Sequence, residues 1–189
     1  MRTVLAVLGL GLVVSCVPRV ATGCDLDTPY HAAVRQWTAK ANIYQFADQR
    51  AQFQATIESK VFRQQRAREL AHEQGWSREA EQTELEKQRK ADLDETSFIL
   101  GAYTEIPHDN SLGEARSIWR VALDTPTGEV LPTRIDPIGR PDSNSLALYP
   151  YLDNFQRAYR LHFPKVVQGP VTLKIGSAAG LAKLEFEQL

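Results

Sequence analysis

Histidine-containing segments are the first places in this chain to test for metal chemistry. The Pro-His-Asp-Asn segment at 107–110 has Glu105 nearby, and a metal ion could use such ligands. Their spacing matches no metal-binding motif, however, and the segment is typical of a turn. His72-Glu73 lacks the second helical histidine of the zinc-protease motif. We therefore predict no metal site and no cofactor.

One segment of small residues superficially resembles the loop of a serine nucleophile or a phosphate-binding loop. It is Gly176-Ser177-Ala178-Ala179-Gly180. It lacks the Gly-x-Ser-x-Gly spacing of a serine elbow, and no Lys-Ser/Thr pair follows it. Because it lies between two alternating segments, it predicts a β-hairpin turn. The loop residues Asp136, Asp142 and Asp153 offer no distinctive carboxylate pair. We therefore predict a protein that is not an enzyme, with no catalytic residues.

An aromatic segment around Pro150 is the strongest candidate for binding. Tyr149, Tyr151 and Phe155 lie close together in the sequence, and Asp153-Asn154 can turn the chain between them. Three aromatic rings around a loop could bind a peptide, a glycan or another small ligand. They could also close one end of a β-domain. Both interpretations remain open from the sequence.

The N-terminus has the features of an export signal. Arg2 precedes an apolar run from Val4 to Val14, which is too short to span a bilayer as a helix. The following Val13-Val14-Ser15-Cys16 resembles the lipobox of bacterial envelope lipoproteins. This resemblance implies removal of residues 1–15, lipidation of Cys16, and a membrane-anchored protein with residues 16–27 as a tether.

A second cleavage position is also present. Ala21-Thr22-Gly23 has the small-x-small pattern of soluble export and would leave Cys24 as the first residue. Under the lipobox interpretation, Val17 replaces the aspartate associated with inner-membrane retention. The resemblance then implies an outer-membrane anchor, with the protein facing the periplasm.

Composition limits the classes of partner. The formal net charge is −1, 24% of residues are charged and 43% are hydrophobic. These values are typical of a folded, water-soluble domain. Nucleic-acid binding usually requires a basic surface, so we expect no nucleic-acid partner.

Residues 28–93 predict helices. Thr28-Pro29 is a favourable helix start, and neither Gly nor Pro recurs before Gly75. We expect one long helix, kinked or straight, up to that glycine. Gly75-Trp76-Ser77 then predicts a tight connection to a second helix ending near Asp92. The resulting helical hairpin could pack along the rest of the molecule, or contact an envelope protein partner.

Residues 95–189 predict strands. Alternating apolar residues recur in short segments separated by Gly and Pro turns, at 98–102, 119–123, 146–148, 159–163, 171–175 and 184–186. About seven short strands favour a two-sheet sandwich, and the pattern resembles immunoglobulin-like domains. The predicted fold is therefore α+β, with an N-terminal helical hairpin followed by an antiparallel immunoglobulin-like β-sandwich.

The sequence as a whole favours a lipid-anchored envelope protein with a non-enzymatic scaffolding, assembly or binding role. The alternative is a periplasmic or secreted protein that binds a small ligand or polysaccharide through its sandwich loops. An exposed apolar stripe on Tyr30–Val61 would favour assembly. A deep polar pocket with convergent histidine or carboxylates would favour ligand binding or, as a third hypothesis, an envelope hydrolase.

Overall fold

The computed structural model describes residues 28–166 and 169–187. The predicted signal peptide, the tether, Cys16 and Cys24 lie outside these ranges. Four α-helices and nine β-strands are present among the described residues. The helices are α1 (Pro29–Gln36), α2 (Lys60–Glu73), α3 (Arg78–Asp94) and α4 (Ser143–Leu148). The strands are β1 (Thr38–Gln45), β2 (Asp48–Ile57), β3 (Glu95–Thr104), β4 (Arg120–Thr125), β5 (Gly128–Val130), β6 (Arg134–Gly139), β7 (Arg157–Pro164), β8 (Val171–Ser177) and β9 (Gly180–Phe186).

The strands form two antiparallel sheets, so the protein belongs to the α+β class. The order in the larger sheet is β1-β2-β3-β7-β6, and the order in the smaller sheet is β5-β4-β8-β9. Their facing residues make one apolar core, in which Phe98 packs edge-on against Phe163 with ring centroids 5.7 Å apart. Phe53 meets Trp119 in the same way at 5.1 Å. Phe98, Leu161 and Leu173 face the core as predicted and are fully buried, but β3 and β7 are buried on both faces and so do not show the half-buried alternation that was expected.

The prediction of one long first helix is wrong. Helix α1 ends at Gln36, and the hairpin of β1 and β2 follows before α2 begins. In β2, Ala51, Phe53 and Ala55 face the core and alternate with glutamines, which is the period of a strand. The turn itself contains Phe46 at a positive φ of 57°, so the usual glycine or asparagine signal is missing.

The helical hairpin itself is present, but it is formed by α2 and α3. Ser59 caps α2 by accepting a hydrogen bond from the Phe62 amide. Gly75 adopts a φ of 62° between the two helices, as predicted for this glycine. Ser77 then caps α3 by accepting from the Ala80 amide.

The position predicted to separate a helical half from a strand half is the junction of α3 with β3, but strands β1 and β2 lie before it. Helix α3 ends at Asp94 and β3 begins at Glu95. The larger sheet nevertheless includes strands from both sides of this boundary, because β2 pairs with β3 in an antiparallel ladder. The predicted segments 28–93 and 95–189 therefore share one sheet.

Two short elements differ from the prediction. Leu146 and Leu148 belong to helix α4, and not to a strand. Asp142 caps this helix by accepting a hydrogen bond from the Ser145 amide at 2.8 Å. Strand β6 was not predicted, because Pro137 interrupts its apolar pattern. Pro137 is tolerated there because β6 is an edge strand, where one N–H is not needed by a neighbour.

Helices cover the outer face of the larger sheet. Seven buried residues form a second apolar cluster there: Tyr30, Val34, Phe62, Ile99, Tyr149, Leu152 and Ala158. Tyr30 also donates a hydrogen bond from its hydroxyl to the Leu148 carbonyl at 2.8 Å. Of the apolar stripe predicted over Tyr30–Val61, the α1 residues Tyr30 and Val34 are buried, whereas Tyr44, Phe46 and Val61 are exposed. Across the described residues, no helix is long and apolar enough to span a membrane.

Candidate functional site

A buried carboxylate marks the boundary between the sheet and the helical hairpin. Glu58 lies between β2 and α2, and only 4% of its surface is exposed. Arg66 of α2 forms a direct salt bridge to one carboxylate oxygen, Oε1. The second oxygen, Oε2, lies 3.8 Å from Nη1 of Arg63 and 3.7 Å from Nε of Arg160 on β7. One buried negative charge is thus shared by three guanidinium groups.

The start of helix α2 positions two of these arginines. Arg63 and Arg66 are three residues apart, so both lie on the helix face that meets the sheet. Arg63 donates from Nε to the Glu58 carbonyl at 2.8 Å, and from Nη2 to Ser97 Oγ at 2.7 Å. Ser97 in turn donates to Glu58 Oε2 at 2.6 Å. Strand β3, which contains Ser97, is therefore joined to the helix through this network.

Arg66 extends the network to helix α3 and to the segment that follows α4. Its Nη1 donates to the Tyr149 hydroxyl at 2.8 Å, and its Nη2 donates to Gln88 Oε1 at 3.1 Å. Gln88 belongs to α3, whereas Tyr149 follows α4. The Arg66 guanidinium therefore connects the helical hairpin with the loop after α4 and with Glu58 at the end of β2.

The electrostatic environment keeps Glu58 ionised. Burial alone would raise its pKa, but the attraction of Arg66, Arg160 and Arg63, with the hydrogen bond from Ser97, lowers the pKa of Glu58 to about 2. Burial also raises the pKa of the Tyr149 hydroxyl. At neutral pH the network therefore contains a carboxylate, guanidinium cations and a neutral phenol.

A cavity of about 460 Å³ lies next to this network. Its walls come from α2, α3, the larger sheet and the segment around α4. Arg66, Arg160 and Tyr149 form the part of the wall shared with the Glu58 network. The rest of the lining includes six apolar side chains: Leu70, Ile99, Ile138, Leu148, Leu152 and Ala158. Cavities of this size, with apolar walls and a few polar groups, are typical of small-molecule sites.

The predicted aromatic residues occupy different places. Tyr149 is buried and borders the cavity, and its ring centroid lies 6.1 Å from that of Tyr151. Tyr151 is half-buried, donates to the Ile99 carbonyl and accepts from Thr56. Phe155 is 81% exposed and borders a separate depression with Tyr103 and Arg157. The three rings therefore do not form one continuous surface.

The histidine-containing segments are separated in space from one another. His162 is buried on the helix-covered face of β7, where its ring nitrogens lie 2.8 Å from Glu95 Oε2 and 3.2 Å from Asp136 Oδ2. His31 contacts the Thr28 hydroxyl at 2.8 Å. Among the described residues, no group of three histidine, cysteine or acidic side chains could hold a metal ion. The predicted turn at 176–180 is confirmed, because it connects β8 with β9.

Sequence reasoning missed Glu58, Arg63, Arg66 and Arg160. In the sequence, the first three look like the solvated charges of a long helix. The useful signal was Glu58-Ser59, an acid and a capping residue at a true helix start, followed by two arginines on one helix face. Recognising that signal would have required placing the hairpin of β1 and β2 first.

Comparison of the chain with protein-family models, with curated proteins and with solved structures gave no significant match.

Proposed function

We propose that this protein is a non-enzymatic binding protein of the bacterial envelope, and that it holds a small ligand in the cavity next to Arg66, Tyr149 and Arg160. The observation that carries the proposal is the cavity itself. It combines six apolar side chains with two arginines, a tyrosine and several other polar residues, among them Glu84, Asp136 and Asp142, and such a mixture can hold a ligand.

The arginines and Tyr149 of the cavity wall support binding over catalysis. Arginine stays protonated in proteins, and burial raises the pKa of Tyr149 further from neutrality. These groups can orient a ligand and neutralise its charge. They are poorly suited to exchanging protons with it at neutral pH.

The two-sheet core is proposed to be a variant of the immunoglobulin-like sandwich. Two antiparallel sheets facing one apolar core support this assignment. In this variant, the outer face of one sheet is covered by helices, and the cavity lies under that cover. The proposed ligand site is therefore beside the sheet, and not at the loops at the end of the sandwich.

The proposed cellular localisation of the protein rests on the lipobox resemblance. We propose lipidation at Cys16, an outer-membrane anchor facing the periplasm, and export through residues 1–15 as the signal peptide. Cleavage near Cys24 with soluble export is the alternative.

The anchor can be tested by metabolic labelling with an alkyne-bearing fatty acid. Cys16→Ser should abolish labelling and move the protein into the soluble fraction, because the thiol that receives the lipid is absent. Cys24→Ser is the matched control and should remain labelled and membrane-bound. Label retained by Cys16→Ser, or lost from Cys24→Ser, would contradict lipidation at Cys16.

Assembly through the helical hairpin is the second candidate function. Helix α3 has no buried residue, so its surface is available for a partner among envelope proteins. The predicted apolar stripe supports assembly only in part, because Tyr30 and Val34 of α1 are buried whereas Tyr44, Phe46 and Val61 are exposed. Site-specific photocrosslinking from α3 in intact cells would test this candidate, and recovery of the uncrosslinked chain alone would count against it.

The ligand site can be tested by filling the cavity. Ile138 lies in the cavity wall and is 44% exposed, so Ile138→Trp should occupy the space without disturbing the core. Leu131→Trp is the matched control at an exposed apolar residue away from this cavity. Ligand-observed NMR with a panel of sugars, amino acids, carboxylates, amines and alcohols should show a class that binds wild type and Leu131→Trp, but not Ile138→Trp.

Two results would overturn the proposed function. One is a wild-type protein that binds no member of the panel. The other is binding that survives Ile138→Trp unchanged, which would place the ligand elsewhere.

A further inference from the structure

Arg160 is the least satisfied cation of the cavity wall. Its ion-pair partner among the described residues is Glu58, and the 3.7 Å separation is longer than a hydrogen bond. Its buried Nε makes no hydrogen bond. Glu58 already receives the direct salt bridge of Arg66 and the hydrogen bond of Ser97. Three guanidinium groups therefore share the single Glu58 carboxylate, and Arg160, whose side chain is 42% exposed, is the one that faces solvent.

The other acidic residues of the cavity wall are held by other groups. Asp136 pairs with Arg134 at 2.8 Å and contacts His162 at 3.2 Å. Asp142 caps helix α4. Glu84 accepts a hydrogen bond from Gln88 at 2.6 Å. Asp136 is the cross-strand neighbour of Arg160, but its carboxylate binds Arg134 and His162 instead.

Next to this cation, the cavity offers apolar surface. Leu148 and Leu152 come from the segment around α4, Ile138 from β6 and Leu70 from α2. A ligand that contacted these side chains would remove apolar surface from water, and this burial is favourable. The wall thus combines a cationic end with an apolar body.

We propose that the cavity binds an amphiphile with an oxyanion head group, a carboxylate or a phosphate, and an apolar body. The head contacts Arg160, whose planar guanidinium donates paired hydrogen bonds to such groups. The apolar body lies against Leu148, Leu152 and Ile138. This inference rests on the proposed function, because it names the ligand class of the same cavity.

Four probes that share the same ten-carbon chain length and differ in head group test the inference. Isothermal titration calorimetry would compare decanoate, decyl phosphate, decanol and decyltrimethylammonium below their aggregation concentrations. At least one of the two anions should bind at least about tenfold more tightly than decanol, since a charge-assisted hydrogen bond is worth about that factor or more. The cationic probe should bind more weakly than decanol. Decanol or the cation binding as tightly as both anions would overturn the inference.

Substitution of Arg160 gives an independent measurement. Arg160→Gln should weaken binding of the preferred anion about tenfold and leave decanol unchanged, and Arg160→Lys should fall between Gln and wild type. Arg120→Gln, on the smaller sheet, is the control with the same charge change. Circular dichroism would establish that each variant is folded. If Arg160→Gln is not folded, the comparison of the four probes on wild type decides alone.

The experiments give different results if the proposed ligand class is wrong and if the proposed binding site is wrong. If the panel reveals a ligand that Ile138→Trp excludes, while neither anion outcompetes decanol, the amphiphile inference is wrong and the proposed function stands. If neither the panel nor the four probes bind, both are wrong. If an anion binds equally to wild type and Arg160→Gln, the assigned role of Arg160 is wrong.

Discussion

The two faces of the larger sheet differ in what covers them. One face packs on the second sheet through apolar and aromatic side chains that are almost completely buried, such as Leu100 and Phe163. The other face packs on helices, and there a charged network centred on Glu58 adjoins a cavity. The same strands contribute to both faces, because successive side chains of a strand point in opposite directions.

This contrast separates stability from the proposed ligand binding within one sheet. A close-packed apolar face gains free energy from burial and dispersion contacts. A face with buried charges costs desolvation free energy, which the salt bridges and hydrogen bonds must offset. The helix-covered face therefore carries the chemistry, while the inter-sheet face holds the strands in position.

The largest expected effect on the free energy of unfolding comes from substituting neighbouring residues that lie on the two faces of the larger sheet. Leu100 faces the inter-sheet core, and Ile99 lines the cavity. Leu100→Ala should reduce the free energy of unfolding by about 4 kcal/mol, and Ile99→Ala by about 2 kcal/mol, because a residue beside a cavity has fewer contacts to lose. Urea unfolding measures both. Equal losses would mean that the two faces are packed alike.

The buried carboxylate gives the next effect. Glu58→Gln leaves the guanidiniums without their counter-charge and should cost about 3 kcal/mol of unfolding free energy. Glu129→Gln is the control, since Glu129 is an exposed acid that pairs with Arg120 and Lys174. It should leave the unfolding midpoint in urea unchanged. A Glu58→Gln protein as stable as the control would show that the network does not depend on this charge.

Stability should depend on pH through the same residue. The pKa of Glu58 falls from 4.5 to about 2 on folding, so its contribution is present above pH 4.5 and is lost as the pH falls towards 2. Wild type should therefore lose about 3 kcal/mol more than Glu58→Gln between pH 5 and pH 2. Urea titrations at each pH measure the difference. Parallel pH profiles for the two proteins would contradict this assignment.

The smallest expected effect concerns the hydroxyl at the cavity wall. Tyr149→Phe removes the acceptor that binds Arg66 and should cost about 1–2 kcal/mol. Tyr44→Phe, at a mostly exposed tyrosine, is the control and should be neutral. Thermal unfolding would compare the two variants. Equal melting temperatures would mean that the Arg66–Tyr149 hydrogen bond contributes nothing.

Local patterns were sufficient to predict strands β3, β7, β8 and β9. Each of them has apolar residues at every second position, and these face the inter-sheet core. The connection at Gly75 was likewise predictable, because glycine accepts the left-handed conformation found there.

The hairpin of β1 and β2 was missed because its evidence is tertiary. Its facing residues include small alanines, Ala51 and Ala55, which favour helix when considered alone. They lie in a strand because β2 is paired on both sides, with β1 and with β3. The candidate site was missed for the same reason. Arg63 and Arg66 join one charged network only once the sheet brings Ser97 and Arg160 to Glu58.

The contact between β1 and β9 sets the order in which the molecule can be completed during synthesis. Gly180 lies against Ile43, so close that a β-carbon on the glycine would come within 2.8 Å of the isoleucine. Nearly all of the described chain lies between these two residues. The ribosome makes β1 early and β9 late, so β1 lacks this neighbour until translation has passed Gly180. Until then the inter-sheet core also lacks Ala182, Leu184 and Phe186. If the chain is exported as proposed, this delay lengthens the time during which the inter-sheet core is incomplete and the polypeptide can cross a membrane unfolded.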